Sequence, residues 1–362
     1  MTVSRVLMLF NRPRAALLAE AEQGRCPDEL LYGLRTLRER GWPIETSDDG
    51  FAPSWTTRAY RLLNDVLSHG GRRTGFHLQQ ALRLRARLRR AELIFATADS
   101  SGMPVLLLRA LGLIRTPVIT SSIGLAETFG EPVGAVYGLY RRLLREAAAV
   151  IVYASDERAA LIKLFGLAPE KVHFVPFGVQ TDFFAGAATT AGPPLAFGID
   201  HRRDWPTFLA AAAGYDGTLE LVTNPDLLRG LARPRNVLAL PPEPIADLRA
   251  RMQRARFVVL PVRDNNYSGA TISLLQSLAA GKAVIVSRTR AVADGYGLVD
   301  GENCLLVPPG DVPALAAALD RLAHDEALVA RLGANAAAHV RARHDIVHLA
   351  TALENVWRGV RP

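Results

Sequence analysis

Cysteine is almost absent: Cys26 and Cys304 are the only two in 362 residues. Two distant thiols, with no Cys-x-x-Cys and no clustered histidine, argue against a disulfide framework and against a structural zinc site. Lysine is scarce as well, three residues against 40 arginines, a bias expected of a GC-rich genome. Aromatic residues make up 7% and form no interleaved platform, so nucleic-acid binding is not expected. Long apolar runs are missing. PVLLLRALGLI and AAAVIVYA are short or broken by arginine, well under the roughly 20 residues of a membrane-spanning helix. The opening MTVSRVLMLFNRPR is too short in its apolar part for a signal peptide and lacks a small-residue cleavage site. It is expected to be a first buried strand, and the chain to be cytoplasmic. There is no Asp-x-Asp, so no catalytic divalent ion is expected. His344 and His348, four apart, have no evident third ligand and are expected to be structural.

What is present is apolar substance and alternation. Hydrophobic residues are 49% of a chain long enough for two domains. The net charge of +8 is uneven: residues 1–180 carry 24 basic against 17 acidic side chains, and the remainder 19 against 18. The first half therefore carries the basic field and is expected to meet an anionic partner or surface. Strands are expected at 6–10, 43–47, 93–97, 117–121, 149–153 and 172–176, with helices over 28–40, 59–68, 76–91, 103–112, 135–147 and 156–165. The pattern then restarts, with strands at 194–198, 219–223, 236–240, 257–261, 283–287 and 304–308. Helices at 204–213, 244–254 and 270–280 lie among them. Strands separated by helices imply parallel sheets of right-handed βαβ units. The aperiodic FFAGAATTAGPP divides two doubly wound, Rossmann-like domains expected to face a cleft. The expected division is 1–184, a linker at 185–193, and 194–344, with 345–362 crossing back to the first domain.

The stretch NNYSGATISLLQSLAAGKAVIVS, Asn265 to Ser287, reads as loop, corner, helix and strand. At Ser268-Gly269-Ala270-Thr271 a helix begins, where unpaired N–H groups and the helix dipole favour an anion. Gly269 and Ala270 leave the main chain open to close approach. Gln276 lies about 12 Å along the helix from Ser268, a span suited to a diphosphate at the tip and a ribose beyond it. A plain N-cap at Ser268 with a tight turn at Gly269 is the alternative. Arg202 and Arg203 stand before another helix, where a basic pair opposes the dipole and so points to an anion, unless it is simply solvated.

SGATISLLQSLAAGKAVIV, followed by DGYGLVDGENCLLVPPGDVPALAAAL, resembles the donor domain of the retaining group 1, or family 4, glycosyltransferases of the GT-B fold. VHFVPFGVQTDFF and FGIDHRRDWPTFLAAA are similar to that family's entry into the second domain and its first strand and basic turn. The likeness runs from about Ala147 to Trp357. It implies an enzyme moving a hexose-type sugar from a UDP- or GDP-sugar to an acceptor hydroxyl, retaining and without a metal or other cofactor. The acceptor is expected to be a saccharide or a lipid-linked molecule of envelope or polysaccharide synthesis. The family's two glutamates fall on Ser268 and Gln276, so both carboxylates are missing. Gly269, Ala270 and Thr271 take the place of the amides that meet the donor, Arg203 that of the basic residue on the diphosphate, and Arg202 stands in for an arginine replaced by Ile199. The family's histidine after the fourth strand falls on Ile123. For chemistry this leaves Asp99, Glu127 and Ser268, with Asn11, Ser121 and Ser122 as further strand-end candidates. Arg83, Arg87 and Arg90 form a stripe that could lie on anionic membrane, or merely be solvated. The alternatives to a transferase are a binding protein that keeps the donor pocket, or another GT-B enzyme such as a sugar epimerase.

Overall fold

The computed structural model describes residues 5–47, 75–186, 191–267 and 269–360. The helix expected over 59–68, the middle of the expected linker and Ser268 lie outside the described residues. Two six-stranded, wholly parallel sheets are present. The first holds β1 (Val6–Leu9), β2 (Ile44–Thr46), β3 (Leu93–Ala96), β4 (Val118–Ser121), β5 (Ala149–Val152) and β6 (Val172–Phe174), in the order β2-β1-β3-β4-β5-β6. The second holds β7 (Leu195–Phe197), β8 (Leu219–Val222), β9 (Val237–Leu240), β10 (Val258–Leu260), β11 (Val284–Ser287) and β12 (Leu305–Val307), in the order β12-β11-β10-β7-β8-β9. Every residue of β1, β3, β4, β5, β7, β10 and β11 is buried, which is why these strands read as unbroken apolar runs. Each order reverses direction once, between β1 and β3 and between β7 and β10. Loops leaving neighbouring strands there part to opposite faces, opening a crevice at the strand C-terminal ends.

The chain divides into two compact units. One comprises Met1–Ala21, Leu30–Pro176 and Ala350–Pro362; the other comprises Glu22–Glu29 and Phe177–Leu349. In the first, Trp357 of the last helix meets Trp42 edge-on at 5.1 Å and Phe95 at 5.4 Å. Glu354 on the same helix accepts from Trp42 Nε1 at 2.8 Å and from Arg40 Nη1 at 3.2 Å. A buried carboxylate is thereby paired with two donors.

Two expected helices are broken. The span 28–40 is a 3-10 turn, Asp28–Leu31, and a separate helix, Leu34–Glu39, because Tyr32 (φ 56) and Gly33 (φ 75) take left-handed backbone between them. The span 76–91 is two helices, Leu78–Arg83 and Arg85–Arg90, meeting at a buried Leu84. Nor is the arginine stripe wholly solvated: Arg87 turns back to donate to the Thr46 carbonyl at 2.7 Å.

Basic side chains end helices throughout. Lys171 Nζ donates to the carbonyls of Arg145 and Ala147 at 3.1 and 3.2 Å, Lys282 Nζ to Gln253 and Ala255 at 2.5 and 2.9 Å, and Arg256 to Leu322 and Ala323 at 3.4 and 2.9 Å. Each cation meets both the orphan acceptors and the negative end of the dipole. Burial pushes Lys282 down to about 8.

Two glycines should respond oppositely to the same change. Gly138 is exposed inside the helix Ala135–Glu146 with open space around it. Gly138→Ala is expected to stabilise by about 0.5–1 kcal/mol through helix propensity. A Cβ on buried Gly333 would land on the backbone oxygen of Gly281, so Gly333→Ala is expected to cost about 1–3 kcal/mol. Urea midpoints measured side by side check both signs.

Candidate functional site

In the second unit the chemistry gathers at the switch point. After β7 the chain turns at Gly198 (φ 147) and passes Asp200–Asp204 before the helix Trp205–Ala212. After β10 it runs through Val262, which bridges to Arg203, and Asn265 to the helix Thr271–Ala279. Arg203 is thus held between the two connections. It is 4% exposed. Its Nε donates to Asp200 Oδ2 at 2.9 Å and its Nη2 to Ser273 Oγ at 2.9 Å, whereas Nη1 is buried with no hydrogen-bond partner among the described residues. The guanidinium occupies the space above Gly198, where a Cβ would collide with it. Burial pulls the Arg203 pKa down, with the Asp200 charge and hydrogen bond opposing.

The corner itself is bare. Gly269 is buried, and Ala270, at the N-cap of Thr271–Ala279, has φ 66 and no side-chain cap. Left-handed backbone at an alanine costs about 1–2 kcal/mol, held here by its surroundings. Fully buried Asn265 lies beneath: its Nδ2 donates to the Arg263 carbonyl at 2.8 Å and its own carbonyl accepts from Ala291 N at 3.1 Å. The first turn's N–H groups have no intrahelical acceptor and carry the positive end of the dipole. Arg203 bonds to Ser273 on that same turn, so two positive sources converge on one spot. The only acidic partner of Arg203 among the described residues, Asp200, keeps 38% of its side chain in solvent. Such an arrangement favours an anion bearing several acceptors.

The other anticipated residues separate. The Arg202 guanidinium lies over the Tyr267 ring, 5.8 Å from its centroid, and the Arg202 backbone N–H donates to Asp200 Oδ1. Thr271 is fully buried at the helix start. Gln276 is 3% exposed, and its Nε2 donates to Glu29 Oε1 at 2.9 Å. Glu29, wholly buried in the same unit, also accepts from Gln180 N at 3.0 Å, and burial pushes its carboxyl up to about 7. No sequence signal marked Glu29; it stands in CPDEL without a periodic or motif context.

His344 and His339 both donate through Nε2 to the Tyr296 carbonyl, at 3.1 and 2.8 Å. Burial pushes His344 down to about 4, and His348 is exposed. The histidine pair is therefore part of the packing around Tyr296, whose hydroxyl accepts from Phe177 N. Among the described residues no group of three or more His, Cys, Asp or Glu is arranged to hold a metal ion.

In the first unit Asp99 opens the helix Asp99–Ala110 beside the β1/β3 switch point and accepts from Ser100 N at 2.9 Å. Burial pushes it up to about 7. Ser121 Oγ lies 3.0 Å from Tyr153 Oη, and Ser122 Oγ donates to Glu157 Oε1 at 2.6 Å. Glu157 also accepts from Gly124 N at 2.8 Å, its Oε2 has no hydrogen-bond partner among the described residues, and burial pushes it up to about 8. Glu127 is half-buried on the helix Leu125–Phe129. Sequence reasoning passed over Glu157, although it occupies a strand-to-helix corner (YASDER) of the kind that singled out Asp99.

The family described as "Glycosyl transferases group 1" matches residues 212–325, and the "Glycosyl transferase 4-like domain" matches 30–178. An MMP alpha-(1->4)-mannosyltransferase of Mycolicibacterium hassiacum is 27% identical over 214 residues, 54% of this chain and 50% of that protein. A D-inositol 3-phosphate glycosyltransferase of Kineococcus radiotolerans is 27% identical over 248 residues, 57% of this chain and 56% of that protein. The chain thus spans about half the length of the curated relatives it matches. Sucrose-phosphate synthase from Thermosynechococcus elongatus superposes with a TM-score of 0.74 at 18% identity, covering 98% of this chain and 99% of that one. Anabaena HepE in complex with UDP and glucose superposes with a TM-score of 0.71 at 14% identity, covering 98% and 100%. Two parallel six-stranded sheets in this order, each half matched by its own family description, make the chain a member of the group 1 glycosyltransferases, built on the GT-B fold.

Proposed function

We propose that the chain transfers a hexose-type sugar from a nucleotide diphosphate donor, UDP- or GDP-linked, to an acceptor hydroxyl. The observation that carries this is the buried Nη1 of Arg203, which has no hydrogen-bond partner among the described residues, beside the uncapped start of Thr271–Ala279. A diphosphate resting on the amides of Ala270 and Thr271, beside Gly269 whose own N–H donates to the Tyr267 carbonyl at 2.6 Å, would accept from that N–H, and the guanidinium would stabilise charge gathering on the leaving group as the glycosidic bond breaks. These donors are fixed before the substrate arrives, so little reorganisation opposes the reaction. Arg202 is proposed to support the same diphosphate, and Ser268 to meet a sugar hydroxyl. With amides and guanidinium carrying the charge, the reaction is proposed to run without a metal and with retention. The name of the mannosyltransferase relative and the UDP and glucose in the HepE structure support a hexose donor.

Acceptor recognition is assigned to the first unit's switch point, with Asp99 orienting the incoming hydroxyl and Glu127, on the helix after β4, as a further candidate for chemistry. The acceptor class proposed is a saccharide or a lipid-linked molecule. Exposed Arg85, Arg89 and Arg90, with Leu111 63% exposed, support peripheral contact with anionic lipid. Among the described residues no helix is long and apolar enough to cross a membrane.

Titration calorimetry with UDP and GDP tests the donor site. Arg203→Ala is expected to weaken the preferred nucleotide at least about tenfold, since it removes a charge-assisted bond; unchanged affinity would take Arg203 out of the site. Asp99→Asn is expected to slow transfer at least about tenfold while nucleotide affinity stays within twofold, read from donor turnover over an acceptor panel.

Glu157 yields a third expectation, in stability. Its folded pKa is raised above the ordinary value, so the native state holds this proton more tightly than the unfolded chain does. The resulting stabilisation is complete below about pH 4.5 and is lost as pH rises through about 8. Glu157→Gln keeps the carbonyl that accepts from Ser122 and Gly124 and does not titrate. The variant should show a flatter fall in melting temperature from pH 5 to 8 than the wild type; an unaltered fall would place the titrating groups elsewhere.

A further inference from the structure

The family's second carboxylate is replaced here by Gln276, and a glutamine raises a question that a glutamate does not. Its amide oxygen and nitrogen are nearly alike in shape and opposite in hydrogen-bonding sense. Left alone, the amide could offer a ligand either an acceptor or a donor. In this chain it is not left alone. Gln276 Nε2 donates to Glu29 Oε1 at 2.9 Å, and Glu29 Oε2 accepts from Gln180 N at 3.0 Å. The side chain of Gln180 returns the contact, accepting from Asp28 N at 3.1 Å. Glu29 is wholly buried, so it does not itself reach a ligand. Both of its oxygens accept, and the one facing Gln276 takes the NH2 end of the amide.

We propose that Glu29 is a positioning residue: it holds the Gln276 amide with the nitrogen turned inward, so that the oxygen is what the donor's ribose meets. This rests on the donor reading above. A ribose hydroxyl then donates to Gln276 Oε1, as it would to a carboxylate, but no second negative charge is set near the diphosphate. The carboxyl sits one residue deeper, supplied by the Glu22–Glu29 segment rather than by the helix. Recognition at this position keeps the sense of an acidic residue while the surface facing the ligand stays neutral.

The test is ribose discrimination, measured by calorimetry with UDP, GDP and their 2′-deoxy and 3′-deoxy forms. Wild type is expected to bind its preferred ribonucleotide about five- to tenfold tighter than one deoxy form, the worth of one hydrogen bond. In Glu29→Gln the new amide accepts at one end only, so it serves either Gln180 N or Gln276 Nε2. With that oxygen kept on Gln180 N, the NH2 of residue 29 faces Gln276 and draws the Gln276 oxygen inward, and discrimination should fall below about twofold. Thermal melts taken in the same buffer report on folding. If Glu29→Gln alone does not fold, Glu29→Ala decides: discrimination lost in the folded variant supports the assignment, and full discrimination overturns it. Full discrimination in a folded Glu29→Gln, or none in wild type that binds nucleotide, overturns the positioning role and leaves the donor reading standing. Wild type that binds neither UDP nor GDP removes both.

Discussion

A guanidinium that has lost its water and found, among the described residues, only two hydrogen-bond partners is the constraint around which the second unit is organised. Arg203 is inside the protein, yet its charge is balanced by one half-solvated aspartate and a serine hydroxyl. A buried polar N–H without a partner is costly, and its persistence calls for a reason. The surrounding geometry supplies one. Gly198 makes room for the group, the Val262 bridge fixes its backbone, and Ser273 ties it to the first turn of a helix whose dipole is also positive. Each of these contacts makes sense if an anion completes the set.

The left-handed Ala270 belongs to the same economy of space. A capping side chain at that position would fill the volume above the helix mouth, so the helix begins without one. Asn265, buried beneath the corner, is tied by its Nδ2 to the Arg263 carbonyl, and its Oδ1 has no hydrogen-bond partner among the described residues. In the first unit the corresponding switch point is lined differently, with the buried carboxyl of Asp99 where the second unit has arginine. One architecture thus presents two electrostatic environments, set by which side chains follow the strands.

Most of the architecture was legible, and for a clear reason. Strands buried on both faces need continuous apolar runs, and helices between them need caps and periodicity, so VLMLF, LIFAT, AVIVY and FVVLP announce themselves. The two helix breaks were not legible: they depend on Tyr32 adopting left-handed backbone and on Leu84 turning inward, both decided by packing. At the site, Gly269, Ala270 and Arg203 could be read because they lie in contiguous loop-to-helix corners. Glu29 could not, since its relation to Gln276 spans 247 residues of chain. The abundance of arginine, read from composition as a mark of the genome, also has structural use at helix ends such as that of Val312–His324.

Gly198 and Arg203 have a consequence for how the family can vary. The volume that one residue gives up is the volume the other fills, so the two positions hold a single allotment of space. A bulkier residue at 198 would evict the guanidinium, and a shorter one at 203 would open a void against the glycine. Evolutionary drift at either position is therefore expected to be paired, with chains that enlarge 198 also shrinking or redirecting 203.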